Sequence, residues 1–218
     1  LNSTEIFLSL LKHNKRSFEE LQWPNSDTFE VVVGAILVQN TTWKNTQKAL
    51  SNLNNANLLS LDVIADLDIA LLADLIKPSG FYNTKAKRLY GLIKAIKKDF
   101  DDFENFRQNV TREWLLGIKG IGPETCDAIL CYACGRAEMV VDAYALRILN
   151  ALDYEFESYD EAKEWLGSLD FDKVYNETEL FDELGVFRLY HSLIMEFCKD
   201  YSKGKKLDHD VVKLHFGY

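Results

Sequence analysis

The sequence predicts an all-α protein, and three observations carry that expectation. Apolar residues recur at helical spacing over most of the chain, and no segment alternates polar and apolar residues as a half-buried strand does. Only three prolines and eleven glycines occur in 218 residues, which leaves room for long helices. Finally, Leu115-Leu116-Gly117-Ile118-Lys119-Gly120-Ile121-Gly122-Pro123-Glu124-Thr125 sets glycines and a proline between two helix-like stretches. It reads as helix, short hairpin, helix.

Taken in order, Leu1 to Ser17 is amphipathic, with Ile6, Phe7, Leu10 and Leu11 on one face, and reads as a helix rather than a signal peptide. Phe29 to Gln39 is almost unbroken apolar sequence, long enough for a buried helix. Trp43 to Leu53 follows. Asp62–Leu67 and Ala70–Ile76 are two short helices ended by the turn cluster Lys77-Pro78-Ser79-Gly80. Asn83 to Lys98 puts Leu89, Leu92, Ile93 and Ile96 on one face and most of its cations off it. Thr111 reads as an N-cap for Arg112–Gly117, and Thr125–Gly135 is the second hairpin helix. Asp142–Leu152, Tyr159–Leu166 and Thr178–Ser202 complete the pattern.

The composition, 47% hydrophobic and 27% charged, is that of an ordinary globular protein. No apolar run reaches the ~18 residues that span a bilayer, so no membrane partner is expected. The net charge of −9 looks wrong for a nucleic-acid binder until it is located. Residues 25–135 hold 12 Lys+Arg and 13 Asp+Glu, and are nearly neutral. Residues 153–183 hold 2 Lys+Arg and 12 Asp+Glu. The acidity is one segment, expected to be a solvated helical face turned away from any polyanion. The cysteines, Cys126, Cys131, Cys134 and Cys198, include one metal-like pair, Cys131-x-x-Cys134. It lies inside a helical, apolar stretch with no second pair at finger spacing, so packed thiols in a reducing cytosol are expected. The four histidines show no zinc signature.

The hairpin has chemical consequences. Gly120 and Gly122 permit positive φ and close backbone approach. Pro123 suits the first turn of the next helix, where its missing N–H costs little. The open N–H groups at that helix start can receive a phosphate. Eighteen residues after Glu124, Asp142 stands alone in an apolar stretch after Met139-Val140-Val141. By itself Asp142 is a good helix N-cap. A carboxylate fixed beside a developing positive charge is also a catalytic device.

The hairpin with its spaced Asp resembles the helix-hairpin-helix and Gly/Pro-Asp superfamily of base-excision DNA glycosylases. Phe29-Glu30 through Gln39-Asn40-Thr41 resembles the helix that begins the barrel domain of endonuclease III. Gly80-Phe81-Tyr82-Asn83-Thr84-Lys85-Ala86 resembles a loop-helix junction of the same enzyme. The resemblance implies two helical domains with an active-site cleft between them. Residues 25–135 would form a six-helix barrel carrying the hairpin at about 112–135, and residues 1–24 with 136–218 a second domain. It further implies a monomer in the cytoplasm acting on double-stranded DNA, with Asp142 as the catalytic residue.

Three departures narrow the resemblance. Endonuclease III has a lysine nucleophile two residues after the second hairpin glycine, where this chain has Glu124. A carboxylate cannot form the Schiff base of lyase chemistry, so a monofunctional glycosylase is implied. The iron–sulfur cluster of endonuclease III uses C-x6-C-x2-C-x5-C. Counted from Cys198, those positions hold Lys205, Asp208 and Leu214, and one cysteine of four cannot hold a cluster, so no cofactor is expected. Gln22-Trp23-Pro24 and Trp43 then resemble the bacterial 3-methyladenine DNA glycosylases of the endonuclease III-like type.

That subgroup implies a base pocket of Trp23, Pro24, Trp43, Glu124 and Lys199, with Trp23 and Trp43 sandwiching the extruded base. Gln39, Asn40 and Phe81 fall where related enzymes wedge the duplex. Lys119, Gly120, Ile121, Gly122 and Thr125 would meet phosphate, helped by a monovalent cation on the carbonyls of Leu116, Ile118 and Ile121. Lys85, Lys87 and Arg88 are further phosphate candidates, or else a solvated helix face. The substrate expected is duplex DNA with alkylated bases, chiefly 3-methyladenine. Two alternatives stay open: a glycosylase of the same fold for mismatched or oxidised bases, and a non-enzymatic binder that uses the hairpin only for phosphate contact.

Overall fold

The computed structural model describes residues 1–204 and 206–217. It is all-α, with fourteen α-helices among those residues and a single two-residue ladder, Ser202 opposite Leu207 and Lys203 opposite Lys206. The chain divides into two compact units, one from residues 1–24 and 136–218, the other from residues 25–135.

The contiguous unit is organised on α2 (Phe29–Leu37), in which every residue but Glu30 is buried. A helix apolar on nearly all sides must be enclosed. It is packed by α3 (Trp43–Asn55), α6 (Tyr82–Phe100) and α9 (Pro123–Tyr132). The short α4 (Leu61–Asp66) and α5 (Ile69–Leu75) lie against α6 and are started by Ser60 and Asp68, whose side chains accept the first free N–H groups. Leu89, Leu92, Ile93 and Ile96 form the buried face of α6, as their spacing predicts. The helix α7 (Phe103–Asn109) is not expected from the sequence. Asp102 caps it, and Phe106 anchors it edge-on against Phe100 and Trp114. Thr111 caps α8 (Arg112–Leu116) as expected, and α8 leads through the hairpin into α9.

The other unit joins the two ends of the chain. The first helix, α1 (Ser3–His13), begins with a reciprocal capping box between Asn2 and Glu5 and packs on α13 (Glu183–Tyr201). The start expected at Thr178 is delayed to Glu183, because Asp182 caps the helix there. Next to α13 lies α10 (Ala143–Ala151). Asp142 precedes α10 as its N-cap rather than forming its first turn. The elements α11 (Tyr159–Gly167), α12 (Phe171–Glu177) and α14 (His209–Phe216) complete the unit, the last two unforeseen. All twelve carboxylates of residues 153–183 are exposed, and Asp170 and Asp182 cap helices. The acidic segment is thus a solvated surface built over a core that includes Leu152, Leu166, Val174 and Val186.

Candidate active site and DNA-contact residues

Asp142 is held by the start of α10. Its Oδ1 accepts the N–H groups of Tyr144 at 2.9 Å and Ala145 at 2.8 Å. Oδ2 lies 3.5 Å from Nε2 of His191, a buried ring on α13. That separation is long for a hydrogen bond but close for charge attraction. Burial alone would raise this carboxyl. His191 and the two backbone donors outweigh it and hold the group below the ordinary aspartate value. Asp142 is therefore both the cap and an ionised carboxylate at neutral pH. His191 has no sequence signal beyond a polar residue in an apolar helix; only the packing of α13 on α10 brings it to Asp142.

The hairpin is more tightly built than the glycine count implies. Gly120 has φ +93°, and a Cβ there would stand 2.6 Å from Arg88 Cδ. Gly122 differs from the expectation: it is an extended N-cap at φ −94°, so positive φ is required at one glycine, not both. Open space around a Cβ position at Gly122 leaves the start of α9 accessible. Ile121 is buried, its N–H donated to the Ile118 carbonyl at 3.1 Å, while Lys119 is exposed. A carbonyl has two lone pairs, so Ile118 retains one for the cation expected with Leu116 and Ile121.

Gln39, expected among the wedge residues, is hydrogen-bonded at both ends of its amide in this structure. Its Nε2 donates to Gly120 O at 3.1 Å and to Thr125 Oγ1 at 3.0 Å, and its Oε1 accepts from Arg88 Nη1 at 2.8 Å. The amide thus ties α2, α6 and the hairpin together. The exposed neighbour is Asn40, at φ +53°. Phe81 is 72% exposed at φ +45°, and begins α6 in a left-handed conformation that is costly for a bulky residue. Such strain clusters at binding elements.

Lys85 is no phosphate ligand. It is buried, and its Nζ donates to Leu37 O at 2.8 Å and Ser79 O at 2.7 Å. Burial, with the charge of Arg88, pulls it down to about 8. The reason lies in the packing: α2 ends with a carbonyl, Leu37 O, that needs a donor, and the Lys85 ammonium supplies it. Lys87 remains exposed.

The remaining expected pocket residues fall in both units. Trp23 is half-buried and Pro24 exposed, in the turn before α2. Trp43 is half-buried at the first position of α3, and Glu124 is exposed in the first turn of α9. Lys199 is exposed on α13 and pairs with Glu196 at 2.5 Å. Of the positions that match the cluster ligands of endonuclease III, Cys198 is buried on α13 and burial lifts its thiol to about 12. Asp208 caps α14 and pairs with Lys203, Leu214 is 76% exposed, and Lys205 lies outside the described residues. Among the described residues no group of three His, Cys, Asp or Glu side chains is placed to hold a metal.

The order of these parts, a hairpin on α8 and α9 followed by an aspartate capping α10, coincides with a family match. The profile of the HhH-GPD superfamily of base excision DNA repair proteins covers residues 33–166. This chain belongs to that superfamily. The HhH-GPD chain is 41% identical over 192 residues to a candidate DNA repair glycosylase of Methanocaldococcus jannaschii, covering 85% of this chain and 83% of the other. It is also similar to the solved 3-methyladenine DNA glycosylase MagIII of H. pylori, bound there to 1,N6-ethenoadenine. The identity is 41%, the TM-score 0.81, and the coverage 92% of this chain and 98% of that one. An endonuclease III solved in a non-covalent DNA complex shares the fold alone, at 15% identity and a TM-score of 0.67. The HhH-GPD membership makes the chain a DNA glycosylase of base excision repair.

Proposed function

We propose that the chain is a monofunctional DNA glycosylase that flips alkylated purines, chiefly 3-methyladenine, out of duplex DNA and removes them by hydrolysis. The observation that carries the choice of base is the 41% identity across nearly all of the H. pylori enzyme. Asp142 supplies the chemistry. Breaking an N-glycosidic bond leaves an oxocarbenium-like sugar as the base departs with the bonding electrons. A carboxylate held ionised beside C1′ stabilises that cation and orients the water that attacks it, accepting its proton.

Glu124 stands where a lyase would need an amine, so no Schiff base forms and the strand is left intact. An N3-alkylated adenine is cationic and already an activated leaving group, which lowers the demand for a general acid. Trp43 is proposed to offer its ring face to that cation, with Trp23, Pro24, Glu124 and Lys199 as further base contacts. Open N–H groups at Gly122, together with Lys119 and Thr125, receive phosphate. A monovalent cation on the carbonyls of Leu116, Ile118 and Ile121 would neutralise phosphate charge there. Asn40 and Phe81 are the proposed duplex wedges.

The test is release of free base from a panel of duplexes carrying 3-methyladenine, 1,N6-ethenoadenine, hypoxanthine, a G·T mismatch or 8-oxoguanine opposite adenine. The reading expects 3-methyladenine to be excised fastest, with the abasic strand uncleaved. Preferential release of mismatched thymine or of adenine would assign a different base class to the same fold.

A further inference from the structure

We propose that His191 is a positioning residue for Asp142, fixing the second carboxylate oxygen as the helix start fixes the first. The inference rests on the reading of Asp142 as the catalytic carboxylate and adds a residue to it. Oδ1 of Asp142 is committed to two backbone N–H groups of α10. The remaining oxygen, Oδ2, is the one left for the sugar and the water, and His191 Nε2 stands 3.5 Å from it.

The pair sits where such an arrangement is effective. The imidazole is 4% exposed and the carboxylate 14%, so an N–H of the ring acts on the carboxylate with little screening by solvent. Each side chain comes from a different helix, and α10 and α13 pack along one another. His191 itself lies in the buried part of α13, where Tyr190, Ser192 and Ile194 are also buried. A carboxylate pinned at one oxygen can still tilt; a donor at the second removes that freedom. Elsewhere on α10, Arg147 lies over the Tyr144 ring and donates to Ser202 Oγ. Cys198 donates to the carbonyl of Tyr144 and feels the negative charge of Asp142. Neither replaces a donor at Oδ2.

For Nε2 to attract Oδ2 it must carry a proton, as the neutral Nε2–H tautomer or as imidazolium. Glutamine at this position presents an amide N–H of similar reach, whereas phenylalanine keeps the ring volume and removes the donor. The experiment compares wild type, Asp142→Asn, His191→Phe and His191→Gln. Each is assayed for single-turnover excision of 3-methyladenine at saturating protein, affinity for the lesion duplex, and melting temperature. His191→Phe should lower the rate by roughly ten- to a hundredfold, the scale of a misplaced catalytic group, with affinity within about threefold. His191→Gln should restore most of the lost rate. A structural role alone would not give this split or the rescue.

If His191→Phe excises at the wild-type rate while Asp142→Asn is inactive, the positioning role is wrong and the reading of Asp142 stands. If Asp142→Asn is itself active, the reading of Asp142 fails. Two-bond 1H–15N spectra of the wild type decide the matter even if His191→Phe does not fold. A protonated Nε2 whose shift moves in Asp142→Asn supports the pairing, and an unprotonated Nε2 overturns it.

Discussion

Replacing Gly120 by alanine should damage the hairpin, whereas the same change at Gly122 should leave it standing. At Gly120 the backbone has φ +93°, and the new Cβ would meet Arg88 Cδ at 2.6 Å and Cγ and Nε at 2.7 Å. The left-handed conformation costs an L-residue ~1–2 kcal/mol. Arg88 must also swing away, and its charge-assisted bond to Gln39 Oε1, 2.8 Å long, goes with it. Such a bond contributes about 1.5–3 kcal/mol. Loss of both gives ~2.5–5 kcal/mol, and more if Gln39 then lets go of Gly120 O and Thr125 Oγ1. In a chain of this size each kcal/mol lowers Tm by about 2–4 °C, so a fall on the order of 5–20 °C is expected. Gly122 has φ −94° and nothing within 4 Å of an added Cβ, so its alanine variant should melt within about 2 °C of wild type. Its DNA affinity should drop severalfold, because the methyl group stands at the helix start where phosphate is proposed to approach. Thermal melting and fluorescence anisotropy on a lesion duplex measure both. Equal melting temperatures for the two variants would refute the account of Arg88 against Gly120, and unchanged affinity at Gly122 would remove the phosphate from that helix start.

Three further outcomes are expected. Trp43→Ala should lower excision of 3-methyladenine roughly ten- to a hundredfold, the loss expected from ~1–3 kcal/mol of base stacking, and Trp43→Phe much less; an unchanged Ala variant would make Trp43 a packing residue. Borohydride treatment during turnover should trap no covalent protein–DNA adduct, since Glu124 has no amine, and a high yield of adduct would overturn the monofunctional reading. Lys85 sits at about 8 in the folded protein against an ordinary 10.5. Between those values the unfolded chain binds more protons, so this group makes stability rise with pH over that window. Lys85→Met should be less stable overall, because two carbonyls lose their donor, and should lack that part of the rise; denaturant midpoints from pH 8 to 10.5 report the difference.

Much of this molecule is legible in sequence where a local rule decides the outcome. The apolar run at Phe29–Gln39 announces the buried helix α2, Thr111 the cap of α8, and Asp142 the cap that starts α10. What escapes is whatever depends on contacts distant in the chain. Lys85 looks like its exposed neighbour Lys87, and only the end of α2 beneath it makes it a buried donor. Nothing near Gln39 in sequence shows that its amide meets Arg88 and the hairpin. His191 carries no pattern at all until α13 packs on α10. The short helices α7, α12 and α14 are invisible to periodicity because one or two turns do not repeat; side-chain caps from Asp102, Asp170 and Asp208 define them.

The central claim is that Asp142 acts on an N-glycosidic bond, and single-turnover release of free base by wild type and Asp142→Asn tests it most directly. On a duplex containing 3-methyladenine, wild type should liberate the free base and leave an uncleaved abasic strand. Asp142→Asn should be slower by a factor on the order of a hundred or more while binding the same duplex with similar affinity. An Asn variant that releases base at the wild-type rate, or a wild type that releases no base from any lesion duplex, would contradict the account.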